Sequence, residues 1–584
     1  IGLKELTLAD AGNVYRDGND TLLDVFAYYK VVFLLLFSAF GFFVFLYRHK
    51  GFPALDSQRK PYCIPMAIFL VFAIISAIFS EYKHVAFLGY RDRYEGLFVL
   101  ISYMVILYLA SYIAGEDKSV RLLFNCLFAS AFIITLLGAL QLIGLNYFDS
   151  EFFRSIITFG TSFEKEYISR TANFSPGTVY STLFNPNYVG SNMAMLIPTL
   201  VVFIACIKKP TYRILLSVLL CLAVINAIGC ESSAGMVGIA ASFIIILVIF
   251  RKILLRHKII TISAAVLLCG SALLFNYISN GLLVNEIKKI ATADNSANAS
   301  DSQKALNKAI EGLKDITLDS DKLWIYTDNG ALQLYYKDDT LTFSDENNES
   351  LEVNVDNNAI SLLDSRFNNI RMNILPEEGT IEVYYNDYQL IDIVYTSEGF
   401  ISPTNRWLVY RNGRDIETFG FEGIESIGTN RGYIWSRTLP LLKHTIVKGY
   451  GADTYPIYFP QYDFLGKLRF YENASIYVDK PHNMYLHTAV NNGVISLLAL
   501  LALFAAYFIS SFRIYIKEEF RSFLPVAGLA CFAAFCGYAV AGFFNDSVVS
   551  VAPVFWILLG MGIGINVKLA GARSGRKKNQ RGNI

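Results

Sequence analysis

Eleven stretches of this chain each approach the ~20 mostly apolar residues that a helix needs to cross a bilayer. They fall at roughly 31–47, 62–80, 97–114, 122–143, 187–206, 214–231, 233–250, 259–279, 486–510, 522–544 and 550–567, and most contain no Asp, Glu, Lys or Arg. In lipid every backbone polar group must be satisfied within the protein, so such runs are read as helices. Of the 584 residues, 54% are hydrophobic and only 17% charged, with a mean hydropathy of +0.40. Soluble chains carry about 25% charged residues. That contrast excludes an ordinary soluble enzyme, a disordered chain and a nucleic-acid binder. The expected fold is a polytopic α-helical membrane protein with about 11 spans.

Lys and Arg in the short connections set the orientation. Basic residues gather in alternate loops: Arg48, Lys50, Arg59 and Lys60; Lys118 and Arg121; Lys208, Lys209 and Arg213; Arg251, Lys252, Arg256 and Lys258; Arg513, Lys517 and Arg521. The tail adds Lys568, Arg573, Arg576, Lys577, Lys578 and Arg581. These are expected on the cytoplasmic side, with the C-terminus inside. The chain starts at Ile1 rather than Met, and its polar first 30 residues lead directly into a span. A further upstream helix, giving about twelve spans with both ends inside, is the expectation. All eight cysteines lie in or beside apolar runs, with none between 282 and 483. They are expected as small hydrophobes, with no disulfide framework and no zinc spacing.

The expected division is 1–281 with spans 1–8, an extracytoplasmic acidic β-rich insert at 282–430, a further extracytoplasmic segment at 431–485, and 486–584 with spans 9–11 and a basic cytoplasmic tail. The insert carries 26 acidic against 12 basic residues, a formal −14 hidden within a chain total of +1. It opens with a polar helical stretch from Asn285 to Ile316. Then come alternating runs read as strands: LWIYT, ALQLYY, LEVNV, NIRMNI, TIEVYY, LIDIVY and NRWLVY. Their aromatic residues are expected mainly in a core, with glycan binding as the alternative. The run RGYIWSRTLPLLKH from Arg431 reads as a short amphipathic helix.

Polar side chains concentrate where spans begin on the outer side. Arg91, Arg93 and Glu95 precede the third span; Asn185-Pro186-Asn187 opens the fifth; Glu231, Ser232 and Ser233 precede the seventh; His482 and Asn483 precede the ninth; Asn545, Asp546 and Ser547 precede the last. Singly, these are ordinary caps or snorkelling cations. Together they describe a site for an anionic, membrane-embedded substrate, since helix N-termini and arginine forks both suit a diphosphate. Transporters place ionisable groups near the bilayer midplane, and these spans are almost free of charge.

Four stretches resemble the O-antigen ligase/polymerase family of bacterial integral-membrane glycosyltransferases: LGYRDRYEGLFVLISY, TLFNPNYVGSNMAMLIP, RGYIWSRTLPLLKHTIVKGYGADTYPIYFPQY and DKPHNMYLHTAVNNGVISLL. The likeness covers most of the membrane portion and leaves out 300–425. It implies transfer or polymerisation of a polyprenyl-diphosphate-linked (undecaprenyl-type) glycan onto an acceptor hydroxyl, outside a bacterial cytoplasmic membrane, with no metal and no cofactor. The acceptor is a glycan, lipid or wall polymer. By resemblance His482 matches the catalytic histidine, Arg431 the arginine opening the large-loop helix, and Arg91 or Arg93 the first-loop arginine. Arg437 is a further candidate for diphosphate binding; Asn185, Asn187, Asn483 and His487 are candidate supporting residues, and His487 and His444 rivals for the base. Where the family often has Ser-Arg-Gly, this chain reads GCESSAGMVG, with Ala234 in place of the arginine. The physical logic stands beside the likeness: a histidine that titrates near neutral pH can deprotonate a sugar hydroxyl, and preorganised cations stabilise the leaving diphosphate. The alternatives are a transporter or flippase of lipid-linked sugars, and a non-catalytic surface receptor that binds glycan through the insert.

Overall fold

The computed structural model describes residues 4–7, 21–24, 26–53, 56–90, 93–157, 177–256, 301–319, 322–337, 340–377, 379–396, 399–401 and 416–581. The expected span at 259–279, the strand NRWLVY and the candidate Arg91 lie outside these residues.

Among the described residues nine helices are long and apolar enough to cross a membrane. They are α1 (Tyr28–His49), α2 (Lys60–Ile78), α5 (Asp117–Leu142), α7 (Pro186–Cys206), α8 (Pro210–Gly229), α9 (Ser233–Arg256), α15 (Val494–Tyr515), α16 (Phe523–Ala541) and α17 (Ala552–Arg581). The stretch expected at 97–114 forms α4 (Leu97–Ile113), which at 17 residues is shorter. α3 (Lys83–Leu88) precedes it, and α6 (Glu151–Ile157) is a short helix after α5. A two-stranded ribbon, β1 (Lys4–Thr7) and β2 (Thr21–Asp24), precedes α1.

α7 and α16 form the centre of the bundle, with 78% and 83% of their apolar windows buried; α1, at 17%, lies at its edge. Small residues let the central backbones approach: Gly190 of α7 faces Gly235 of α9, and Gly238 of α9 meets the Gly537 carbonyl of α16. Close packing of this kind holds helices together in lipid, where apolar burial gives no driving force. Basic residues collect at one end of the bundle. There Arg59 donates to Ser111 (2.9 Å), Lys568 reaches Asp117 (3.1 Å) and Arg573 pairs with Glu518. The polar span-starts collect at the other end.

The insert follows α10 (Asp301–Ala309) as two antiparallel meanders. β3 (Leu313–Asp319), β4 (Lys322–Thr327), β5 (Gly330–Lys337) and β6 (Thr340–Asp345) make one sheet. β7 (Val353–Asp356), β8 (Ala359–Leu362), β9 (Ile370–Leu375), β10 (Thr380–Tyr385), β11 (Tyr388–Thr396) and β12 (Gly399–Ile401) make the other. The two share one apolar core with Ile316, Leu323, Leu334, Met372, Val383 and Ile393. That core is completed by Phe464, Leu465 and Leu468 of α13 (Phe464–Tyr471), so the insert is fastened to the segment that follows it.

The expected span 486–510 is divided. α14 (Met484–Asn492) ends at Gly493, whose φ of +95° suits glycine, and the apolar helix α15 starts afresh at Val494. His487 therefore stands in the short helix α14, not in the span.

Candidate functional site

Four segments meet at the insert end of the bundle, and backbone geometry places each. Gly96 folds back onto Gly89: a Cβ at Gly96 would collide with the Gly89 nitrogen and the Phe87 carbonyl. This closed turn presents the Tyr90 and Glu95 N–H groups, which donate to Asp453 Oδ2 at 2.6 and 3.2 Å. Arg93 Nη2 lies 2.9 Å from Asp453 Oδ1, and both side chains are buried. His487 Nε2 is 3.7 Å from the same oxygen. Arg93, expected at a diphosphate, thus faces an internal carboxylate with 2% of its side chain exposed.

The second and third segments bring His482 to Asp546. Asn483 caps α14, its Oδ1 accepting from the N–H groups of Tyr485 and Leu486 at 3.0 Å each. The Met484 N–H lies 2.8 and 2.9 Å from the carbonyls of Gly542 and Asn545, which locks this segment to the loop before α17. There His482 Nδ1 sits 3.3 Å from Asp546 Oδ2; the imidazole is 29% exposed and the carboxylate 1%. His482 adopts φ +49° and Asp453 φ +61°, left-handed conformations costing about 1–3 kcal/mol each in a non-glycine residue and common at functional sites. Beside them Lys480, nearly buried, pairs with Asp479 (3.1 Å) and donates to the Tyr188 hydroxyl (3.0 Å).

α7 and α9 supply the base of this cluster. Asn185 caps α7 through the Asn187 N–H (2.8 Å). Asn187 Oδ1 accepts from Ser232 (3.1 Å), while Asn545 Nδ2 donates to the Asn187 carbonyl (3.0 Å) and to Ser191 (2.8 Å). Glu95 Oε1 accepts from Tyr103 (2.6 Å) and from Ser547 (2.8 Å), the neighbour of Asp546. The fourth segment is α11 (Ile427–Thr438), whose first residues Gly428, Thr429 and Asn430 run left-handed. Arg431 Nη1 donates back to the Gly428 carbonyl (2.7 Å). Arg437 donates through Nε to Asp463 Oδ2 (3.0 Å), with its guanidinium 4.3 Å from the Tyr433 ring centre. Trp435 Nε1 donates to the Pro481 carbonyl (2.8 Å) and its ring lies beside Phe544, so one side chain spans the His482 and Asp546 segments.

Burial governs the electrostatics of His487 and of the carboxylates around it. Burial, with Arg93 nearby, pushes the His487 ring down to about 3, so it is neutral at physiological pH. Burial pushes Asp453 up to about 6 against the pull of Arg93, and Glu95 up to about 7. Burial would also raise Asp546, but His482 beside it, with Lys480 beyond, holds it below the usual carboxylate range. A half-exposed imidazole backed by a buried, ionised carboxylate is the arrangement that orients a general base. His444 ends the 3₁₀ turn Leu439–His444. Among the described residues no group of three or more His, Cys, Asp or Glu side chains is placed to hold a metal ion.

An apolar cleft of about 540 Å³ is lined by residues of α9, α15 and α16 together with Tyr485 and Phe543. Those two residues belong to the same segments as His482 and Asp546. The site residues that sequence reasoning left unassigned are Asp546, Asp453, Lys480, Tyr188 and Asp463. Asp546 carried a signal, a carboxylate between Asn545 and Ser547 at the start of an apolar run; Asp453 and Asp463 carried none beyond a turn-rich context.

No family model, curated protein or solved structure matches the chain.

Proposed function

We propose that this chain is a glycosyltransferase of a cell membrane, transferring or polymerising a polyprenyl-diphosphate-linked glycan onto an acceptor hydroxyl at the extracytoplasmic face. The observation that carries the reading is the pair His482–Asp546, 3.3 Å apart, at the mouth of an apolar helix bundle. On this reading the chain has about eleven spans. The basic end faces the cytoplasm, and the insert, the segment 431–485 and the polar span-starts face outside.

The chemistry follows from the positions. Nδ1 of His482 faces Asp546, which leaves Nε2 for the acceptor. As the acceptor oxygen bonds to the anomeric carbon, its proton passes to Nε2, and the bond from that carbon to the diphosphate oxygen breaks with its electron pair on the diphosphate. Asp546 stabilises the imidazolium that forms. Arg431, half-buried at the start of α11, is the cation assigned to the leaving group, with Arg437 and Lys480, now paired with Asp463 and Asp479, as further donors; each such donor is typically worth about 3 kcal/mol in the transition state. Arg93, buried on Asp453, acts as a strut for the first loop. The apolar cleft suits the isoprenoid chain of the donor.

The test is transfer in proteoliposomes with defined polyprenyl-diphosphate glycan donors and candidate acceptors. His482→Ala, still folded and inserted, is expected to form no new glycosidic bond. Retained transfer by that variant, or donor translocation by the wild type with no bond formed, would sink the reading.

A further inference from the structure

The four-stranded sheet of the insert has two unlike faces. Inward positions give Ile316, Leu323, Ile325, Leu332, Leu334 and Phe343 to the shared core. The aromatic residues Trp324, Tyr326 and Tyr335, expected mainly in a core, instead alternate to the opposite face, where they are half-exposed and outside the core cluster. Trp324 and Tyr326 stack along β4 with ring centres 5.9 Å apart and planes only 17° from parallel. Lys322 extends over Tyr335, 5.6 Å from its ring centre.

A polar anchor lies within this platform. Gln333 is the direct cross-strand partner of Trp324. It is 7% exposed; its Nε2 donates to Ser344 Oγ at 3.0 Å, while its Oε1 is buried with no hydrogen-bond partner. A buried acceptor left open is uncommon in native proteins and calls for an explanation. Near-parallel rings beside a buried amide match a ligand with flat C–H faces and hydroxyl donors, which is the surface of a sugar ring. Anions are disfavoured, because the insert carries a formal −14. A protein partner of stable affinity would cover about 800 Å², far more than two or three rings offer.

We propose that Trp324 and Tyr326, with Gln333 as polar anchor, form a binding platform for an extended, uncharged or amino-bearing glycan. The platform rests on the transferase reading for its purpose: it holds the glycan that the site receives or releases. β3, the cross-strand neighbour of β4, packs against α13, whose cap Asp463 is the carboxylate that holds Arg437.

The experiment uses the full-length protein in detergent. Its probe is the water-soluble glycan freed by mild acid from the lipid-diphosphate pool of the cells that make the protein, labelled at the reducing end and followed by fluorescence anisotropy. Trp324→Ala and Tyr326→Ala are each expected to weaken binding about tenfold, as truncated aromatic anchors do, while Trp324→Phe stays within about threefold of wild type. Elution volume and melting temperature establish that each variant is folded. No binding by the wild type, or wild-type binding by folded Trp324→Ala and Tyr326→Ala, overturns the platform. Binding that depends on both rings, in a wild type that transfers nothing, supports the platform and overturns the transferase reading alone, so the two failures are distinct.

Discussion

At the scale of single residues, a carboxylate behind an imidazole fixes which nitrogen faces the substrate and stabilises the cation formed when the proton arrives. Asp546 is held in its charged form although it is buried, with His482 beside it and Lys480 beyond. Replacing Asp546 by Asn keeps the shape and removes the charge, so transfer by folded, inserted Asp546→Asn is expected to fall about a hundredfold or more, with a lower melting temperature because the buried partners of the carboxylate lose their counter-charge. Glu95 gives a prediction of opposite character. Its folded value of about 7 lies above the ordinary 4.5, so the folded state binds its proton more tightly than the unfolded state does. The stability this contributes is complete below pH 4.5 and is lost as pH rises through 7, about 3 kcal/mol in all. Melting temperature in detergent should therefore decline over that range in the wild type and decline less in Glu95→Gln. Identical pH profiles for the two would show that Glu95 is not the group responsible. His482 stands out in the sequence because a His-Asn pair opens an apolar run. Asp453, far from Arg93 in the chain, leaves no such mark, because a buried ion pair is a property of the fold and not of local pattern.

At the scale of elements, apolar length was readable and breaks were not. Ten of the eleven runs lie within the described residues, and each contains an apolar helix. The run from 486 is cut at Gly493 because that residue's φ of +95° cannot continue a helix, and a hydropathy window does not register one glycine. The prediction is that Gly493→Ala, whose Cβ would sit 2.7 Å from the Val447 carbonyl, destabilises the protein by about 1–3 kcal/mol, seen as a lower melting temperature with α15 still inserted. The insert divides in the same way. Runs such as LWIYT and TIEVYY become β4 and β10, since alternation with β-branched and aromatic residues is strong there. β3 falls partly within the expected helical stretch because KDITLD is too polar to stand out, β6 offers only Leu341 and Phe343 among polar residues, and β8 is short. The junction is the informative element: α13 buries Phe464 and Leu468 in the insert core while its cap Asp463 holds Tyr433 (3.0 Å) and Arg437. Phe464→Ala is expected to destabilise by about 3–5 kcal/mol and to expose the insert to protease sooner than the helical bundle.

At the scale of the whole molecule, the charge balance near zero resolves into parts. The basic residues of the short loops and tail gather at one end of the bundle, the spans are nearly uncharged, and the insert at the other end is acidic. If the basic end faces the cytoplasm, a cysteine placed at Ser365 should react in intact cells with a membrane-impermeant maleimide, and one placed at Asn579 should react only after lysis. The proposed chemistry then lies at the outer boundary, where apolar cleft, cations and imidazole meet. The central claim is that His482 and Asp546 act as one unit there. The most direct measurement is a double-mutant cycle on the rate of glycan transfer from a polyprenyl-diphosphate donor, using wild type, His482→Ala, Asp546→Asn and the double variant in proteoliposomes. The account predicts that the double variant loses no more than His482→Ala alone, because a carboxylate with no imidazole to orient has nothing left to contribute. Losses that multiply, or transfer that survives His482→Ala, would contradict it.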